Sequence, residues 1–216
     1  AQGALPTNNF ALGVFAEADG LASEAFSLKP KGCFACPVVC KRVVSIDEPD
    51  CQVDPKYGGP EYETLVALGS NCGIADLKTL IKANELCNRY GLDTISLGMT
   101  ISFAMRCFEE GIIGLEDTGG LEVKFGNQAI LLPLIDQVVK REGFGTILAS
   151  GSKRAAEVFG RGSFDHLIET KGQEAPMHDP RVKSGLGLQY ALAVNGADHW
   201  FAQHDPLFAA ADSFGI

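Results

Sequence analysis

The sequence predicts a mainly α, multi-helical protein with short irregular or β segments, and three observations carry that prediction. Four helix-length apolar patterns each run into a glycine, at Gly91, Gly111, Gly143 and Gly160, the residue that most readily takes the left-handed conformation after a helix. Start signals precede the patterns, with Pro60 near a first turn and Asp76 in a capping position. Strand-like runs are only a few residues long. With 46% hydrophobic and 21% charged residues in a chain of 216, there is enough apolar surface to bury a substantial core.

Taken in order, residues 1–32 read as loop and short irregular pieces, punctuated by Pro6, Asn8, Asn9, Gly13 and Gly20. A cysteine-rich loop follows, flanked by Gly32 and containing Pro37. Residues 43–46 suit a short strand, and 47–60, polar and rich in Pro and Gly, a surface loop. A short helix is expected over 61–69. The next begins after Asp76, with Leu77, Leu80, Ile81 and Leu86 or Cys87 at helical spacing, and ends at Gly91. Further helices are expected over 94–110, 127–141, 146–159 and 186–194, with a turn at 117–120 and a strand at 164–169. The extended stretch with Pro176 and Pro180 reads as the junction between two domains.

Composition excludes some functions. A formal net charge of −9 is the wrong sign for a nucleic-acid partner, which needs a basic excess. No window approaches the roughly 20 apolar residues of a membrane span, and the first residues, Ala1 to Pro6, lack the basic head and apolar run of a signal peptide. A cytoplasmic location is therefore expected. The chain begins without methionine and ends without terminal character, so it reads as a piece of a longer protein.

Chemistry concentrates at a few places. Cys33, Cys36 and Cys40, with two and three residues between them, can converge three soft thiolates on one inorganic centre. Zinc would want four ligands in close pairs, and the remaining cysteines are singly spaced; a four-iron cluster with one distant ligand fits better, with disulfides the other reading. Glu61 and Glu63, at a helix start, read on their own as charge favoured by the helix dipole. The run from Asn88 to Thr94, where one helix ends and another starts, gathers polar groups and free amide donors suited to a heterocycle or phosphate, although Asp93-Thr94 is also an ordinary cap. His199 beside Asp198 reads either as a structural imidazole or as a catalytic one.

Together these segments carry a resemblance. Leu5-Pro6-Thr7-Asn8-Asn9-Phe10, the cysteine loop, Gly59-Pro60-Glu61-Tyr62-Glu63, Leu68-Gly69-Ser70-Asn71, Gly91-Leu92-Asp93-Thr94-Ile95-Ser96, Asp179-Pro180-Arg181 and Gly196-Ala197-Asp198-His199 stand in the order of the aldehyde:ferredoxin oxidoreductase family of tungsten enzymes. The sequence resembles that family over essentially its whole length. The resemblance implies the family's middle helical domain over 1–172, carrying the cluster loop and the first pterin motif, and the truncated beginning of a second helical domain over 173–216. It implies a tungsten (or molybdenum) bis-pyranopterin and a 4Fe-4S cluster. It also implies oxidation of aldehydes to carboxylic acids, with electrons passed to ferredoxin or another electron-transfer subunit.

By resemblance Cys33, Cys36 and Cys40 are three cluster ligands, the fourth lying beyond Ile216. Asn88, Gly91, Leu92, Asp93 and Thr94 match the first pterin-contact motif, with Asn88 where an aspartate is usual. Glu63 and His199 match residues that line the metal site and handle protons. Where some members hold a subunit-bridging iron with a glutamate and a histidine, this chain has Lys82 and Glu85, so no bridging iron is expected. The alternatives are the catalytic subunit of a tungsten-dependent benzoyl-coenzyme A reductase and a non-catalytic iron–sulfur electron-transfer module. The 216 residues alone are expected to be inactive, since the remaining domains of the parent chain supply part of the site.

Overall fold

The structure, a computed structural model, describes residues 4–21, 29–200 and 205. Among these, the helices are α1 (Tyr62–Leu68), α2 (Leu77–Tyr90), α3 (Thr94–Glu109), α4 (Leu131–Lys140), α5 (Gly145–Leu148), α6 (Ser152–Phe159) and α7 (Ser184–Leu192). Three two-stranded antiparallel ribbons decorate them: β1 (Lys29–Lys31) with β2 (Lys41–Val43), β3 (Ile46–Glu48) with β4 (Cys51–Val53), and β5 (Glu169–Thr170) with β6 (Gln173–Glu174). The mainly helical expectation holds. None of the helices is long and apolar enough to cross a membrane.

Helix ends follow local chemistry. Asp76 caps α2 by accepting from Thr79 N at 2.8 Å, and Gly91, at φ 70°, terminates it. Asp93 caps α3 through Ser96 N at 2.7 Å. Helix α3 is buried over most of its length, its apolar side chains interspersed with buried Thr100 and Ser102. It packs so closely on α1 that a Cβ on Gly98 would lie 2.5 Å from the carbonyl carbon of Ala67. Leu80, Ile101, Phe103, Leu131, Leu134, Ile135 and Phe159 form the main core with their neighbours. A second cluster joins Phe10, Val66, Ala67 and Met99 to Met177, Leu186, Tyr190 and Ala197. A third, of Val44, Ile46, Val53, Leu77 and Ile81, lies under the β3–β4 ribbon.

Several expected elements are corrected. Residues 43–46 do not form one strand: β2 ends at Val43 and β3 begins at Ile46, because Val44 and Ile46 both turn into the third core. Residues 47–60 are not simply loop. Glu48 pairs with Cys51 across a ribbon that Lys78 ties to α2 through Glu48 at 2.5 Å and Asp50 at 2.9 Å. The helix expected over 127–141 starts as a 3-10 turn at Gln128–Ile130 and becomes α4 at Leu131, and left-handed Arg141, not Gly143, closes it. The helix expected over 146–159 is two, α5 and α6. Buried Glu174 starts the second by accepting from both the backbone N and the hydroxyl of Ser152 at 2.8 Å. Residues 164–169 give a 3-10 turn, Ser163–His166, before the short β5, and α7 sits two residues earlier than expected.

Two sequence motifs are structural. Asn8, Asn9 and Phe10 are all left-handed, with φ of 51°, 54° and 58°, and their backbone is held by the Leu68–Asn71 stretch. Asn8 N donates to Ser70 O, Asn9 N to Asn71 O, and Phe10 N to Asn71 Oδ1 at 3.0 Å. Arg181 then ties the late chain to the same place, donating to Phe10 O at 2.7 Å while its guanidinium grips the buried carboxylate of Asp179.

Candidate functional site

Glu63 lies in the first turn of α1, but its carboxylate does not serve that helix. Oε2 accepts from Met177 N at 2.8 Å and Oε1 lies 2.9 Å from His178 Nε2. His199 Nε2 stands 3.9 Å from the same oxygen. Glu63, His178 and His199 are the one set of three His, Cys, Asp or Glu residues among the described residues whose ligand atoms lie within 4.8 Å of each other. Their side chains are 18%, 12% and 18% exposed, so water screens their charges poorly.

The surroundings shift the proton affinities of Glu63 and His199. Burial alone would raise the Glu63 pKa, but the bonds from His178 and Met177 N and the two imidazoles outweigh it, and the net shift is downward. Burial lowers the His199 pKa, against the opposing pull of Glu63. Tyr62 stacks on His178 with ring centroids 5.3 Å apart and donates its hydroxyl to Met177 O at 2.9 Å; burial pushes its pKa up to about 12. The Asp198 carboxylate accepts from Trp200 N at 2.6 Å and Asn195 Nδ2 at 2.9 Å, closing the turn beside His199, and its charge acts against the lowering of the His199 pKa.

The residues of the Asn88–Thr94 run divide between two cavities. Glu63, Asn88, Asp93 and Thr94 line one cleft of about 270 Å³, which Lys41 and Arg42, the residues that follow Cys40, also line. Gly91 and Leu92 line a smaller neighbouring cavity, with Asp93 shared between the two. Asn88 donates its amide to Tyr57 O at 2.8 Å, which leaves the amide oxygen as the acceptor that side chain offers. Thr94 Oγ1 shares a hydrogen bond with Thr64 Oγ1 at 2.9 Å.

Cys33, Cys36 and Cys40 occupy the loop at the end of the β1–β2 ribbon, all free thiols at the surface or partly exposed. Ala35 and Val39, the residues immediately before Cys36 and Cys40, are left-handed at φ 56° and 50°. That is costly for a β-branched valine, and it curls the loop, but the Sγ atoms of Cys33, Cys36 and Cys40 do not all come within 4.8 Å of one another in the structure. The other cysteines differ. Cys72, Cys87 and Cys107 are buried, and burial raises their thiol pKa values, to about 12 for Cys87 and Cys107. Cys51, partly buried, is also raised. Thiols of this kind are poor sources of thiolate ligands. The site's donor types suit the implied groups: three accessible cysteines for a cluster, and amide, carboxylate and hydroxyl oxygens around a cleft for a pterin.

Glu85, at the place of the bridging-iron ligand set, is 1% exposed and engaged by Lys82 at 2.5 Å and Arg89 at 2.6 Å. Sequence reasoning missed His178, Tyr62 and Lys183. His178 adjoins the recognised Asp179-Pro180-Arg181, the one sequence signal near it, but no spacing says that it faces Glu63.

Comparison with known proteins places the chain. The family described as "Aldehyde ferredoxin oxidoreductase, domains 2 & 3" matches residues 1–211. Tungsten-containing aldehyde ferredoxin oxidoreductase of Pyrococcus horikoshii is 44% identical over 207 residues, covering 91% of this chain and 32% of the relative. The Thermococcus kodakarensis protein of the same name is 39% identical over 205 residues, again 91% of this chain and 32% of the relative. An aliphatic sulfonate oxidoreductase, WOR-like subunit, of Pyrococcus furiosus is 30% identical over 176 residues, 77% of this chain and 27% of the relative. Among solved structures, the active site complex BamBC of benzoyl coenzyme A reductase shares the fold, with a TM-score of 0.67 at 22% identity over 90% of this chain and 30% of that one. The chain thus spans about a third of the length of these relatives. It belongs to the aldehyde ferredoxin oxidoreductase family.

Proposed function

We propose that the chain forms the central part of a cytoplasmic tungsten-pterin, iron–sulfur oxidoreductase that oxidises an aldehyde to a carboxylic acid and passes the electrons to ferredoxin. The overall change is RCHO + H₂O → RCOO⁻ + 3 H⁺ + 2 e⁻, so the site must move protons as well as electrons. One observation carries the reading: Glu63, with His199 3.9 Å away, opens on the same cleft as Asn88, Asp93 and Thr94, beside the root of the cysteine loop.

In this reading Asn88, Asp93 and Thr94 bind one edge of the pterin, and residues outside this chain hold the rest. Asn88 loses the charge-assisted part of the bond that an aspartate would make to a pterin amine. Cys33, Cys36 and Cys40 hold the 4Fe-4S cluster, its fourth thiolate also coming from elsewhere. When bound, the tungsten centre supplies a two-electron acceptor. Glu63, held ionised, takes up a proton released at the reacting carbon, and His199, held neutral, exchanges another. Lys82 and Arg89 neutralise Glu85, so no bridging iron is expected there.

The test is made on the full-length protein. Tungsten together with iron, and dye reduction that depends on an aldehyde, are the expected results. Turnover of benzoyl-coenzyme A without aldehyde oxidation would overturn the reading in favour of a ring reductase. Iron without tungsten or molybdenum would overturn it in favour of an electron-transfer module.

A further inference from the structure

We infer that Lys183 locks His178 in the tautomer protonated on Nε2, so that His178 presents a standing N–H donor to Glu63 and holds that carboxylate ready as a base. This rests on the proposed role of Glu63. His178 and Lys183 are then positioning residues that act through it.

Lys183 Nζ lies 2.8 Å from His178 Nδ1. An ammonium has three donors and no acceptor, so Nδ1 must accept. The proton of the neutral ring then sits on Nε2, 2.9 Å from Glu63 Oε1. Met177 N donates to Oε2, and Oε1 has the two imidazoles as its near neighbours, His178 Nε2 at 2.9 Å and His199 Nε2 at 3.9 Å. The ring has little freedom to turn. Tyr62 covers one face, and the backbone on either side is held by Tyr62 OH on Met177 O and Tyr190 OH on His178 O, at 2.9 and 3.2 Å.

Lys183 is itself held in place. It directly precedes α7, whose first turn is anchored by the Asp205 carboxylate, accepting from Gly185 N at 2.8 Å and Leu186 N at 3.1 Å. Among the described residues, the titratable and charged groups facing His178 and Lys183 include Tyr62 and Glu63 of α1, Tyr190 of α7, Asp205, and His199 beyond α7, with Asp198 acting on Tyr190 and His199. Glu63 and Asp205 pull the Lys183 pKa up against the larger effect of burial, which lowers it.

The experiment uses the full-length holoenzyme labelled with [¹⁵N]histidine, the His178 signal being assigned by its loss in His178→Gln. The expected result is a ring protonated on Nε2 and bare on Nδ1, turning to a mixture of tautomers in Lys183→Met. In parallel, the acid limb of kcat/KM against pH moves upward by about one unit in Lys183→Met, tenfold in proton concentration. Lys183→Arg restores it, because a guanidinium also only donates. His178→Gln, which keeps one donor and one acceptor, moves the limb less than His178→Phe. A wild-type ring protonated on Nδ1 would overturn the inference, as would a Lys183→Met enzyme of normal metal content whose tautomer and acid limb are unchanged. If Lys183→Met does not fold, Lys183→Gln takes its place with the same two outcomes. The NMR result decides the tautomer whatever the enzyme oxidises, so failure of the aldehyde reading is seen separately.

Discussion

Glu63 shows how little a residue's neighbours in sequence need say about its work. At the start of α1 it would ordinarily interact with the helix dipole, yet its partners are Met177, 114 residues on, and His178. Glutamine at this position keeps the size and much of the hydrogen bonding but cannot take a proton. Glu63→Gln in the full-length enzyme is therefore expected to lower kcat on the order of 10²–10⁴-fold with tungsten content unchanged; a near-normal rate would remove Glu63 from the chemistry. The pKa directions also set a pH dependence of stability. His199 has a folded pKa below its ordinary value of 6.5, so between the two the unfolded chain binds more protons and stability rises with pH. Glu63 is likewise lowered from 4.5; its contribution is present above that value and lost as pH falls through the folded one. Denaturant midpoints of the full-length protein should therefore drop on acidification from about pH 6.5, with His199→Gln flattening the upper part of the fall.

At the scale of elements, the helices were legible and the strands were not. A cap such as Asp76 and a terminator such as Gly91 act within their own few residues, so the sequence announces them. The break between α5 and α6 depends on Glu174 reaching Ser152 from 22 residues away, and no local pattern encodes that. The β3–β4 ribbon was hidden for a related reason: its buried residues, Ile46 and Val53, are too few to outweigh the Pro, Gly and acidic residues around them. The cysteine loop was read from spacing as a metal or cluster loop, and its cysteines as three of four cluster ligands from resemblance. Its left-handed Ala35 and Val39 are ordinary residues that give no sign in sequence of the curl they adopt. If the loop holds the cluster, Cys33→Ser, Cys36→Ser and Cys40→Ser should each abolish it in the full-length protein, read as lost iron and lost visible absorbance. Substituting Cys51, Cys72, Cys87 or Cys107 by alanine should leave iron content intact. Loss of iron from one of the buried positions in a folded protein would redraw the ligand set.

Across the whole molecule, the site exists because distant stretches are pinned to one another. Asn8, Asn9 and Phe10 dock on Ser70 and Asn71 beside α1, and Arg181 fastens the late segment to Phe10. The resembling motifs at the two ends of the chain thus hold His178 against Glu63 without touching the reacting groups themselves. Resemblance identified these motifs by their order; what they do became visible only in three dimensions. The clamp is also asymmetric. Asp179 is 1% exposed in its side chain and Arg181 58%, so water can take over from a lost aspartate but not from a lost arginine. Arg181→Ala leaves the buried carboxylate with one backbone donor, the N–H of residue 181, and is expected to cost on the order of 2–3 kcal/mol. Asp179→Asn, which keeps the shape and leaves Arg181 to solvent, should cost clearly less. Chemical denaturation of the two full-length variants measures both. An equal or reversed order would mean that the pair contributes through its charge attraction, rather than by sparing a buried carboxylate the loss of its partner. In Arg181→Ala the loosened segment should also raise KM or lower kcat through misplacement of His178, even at temperatures where the variant remains folded.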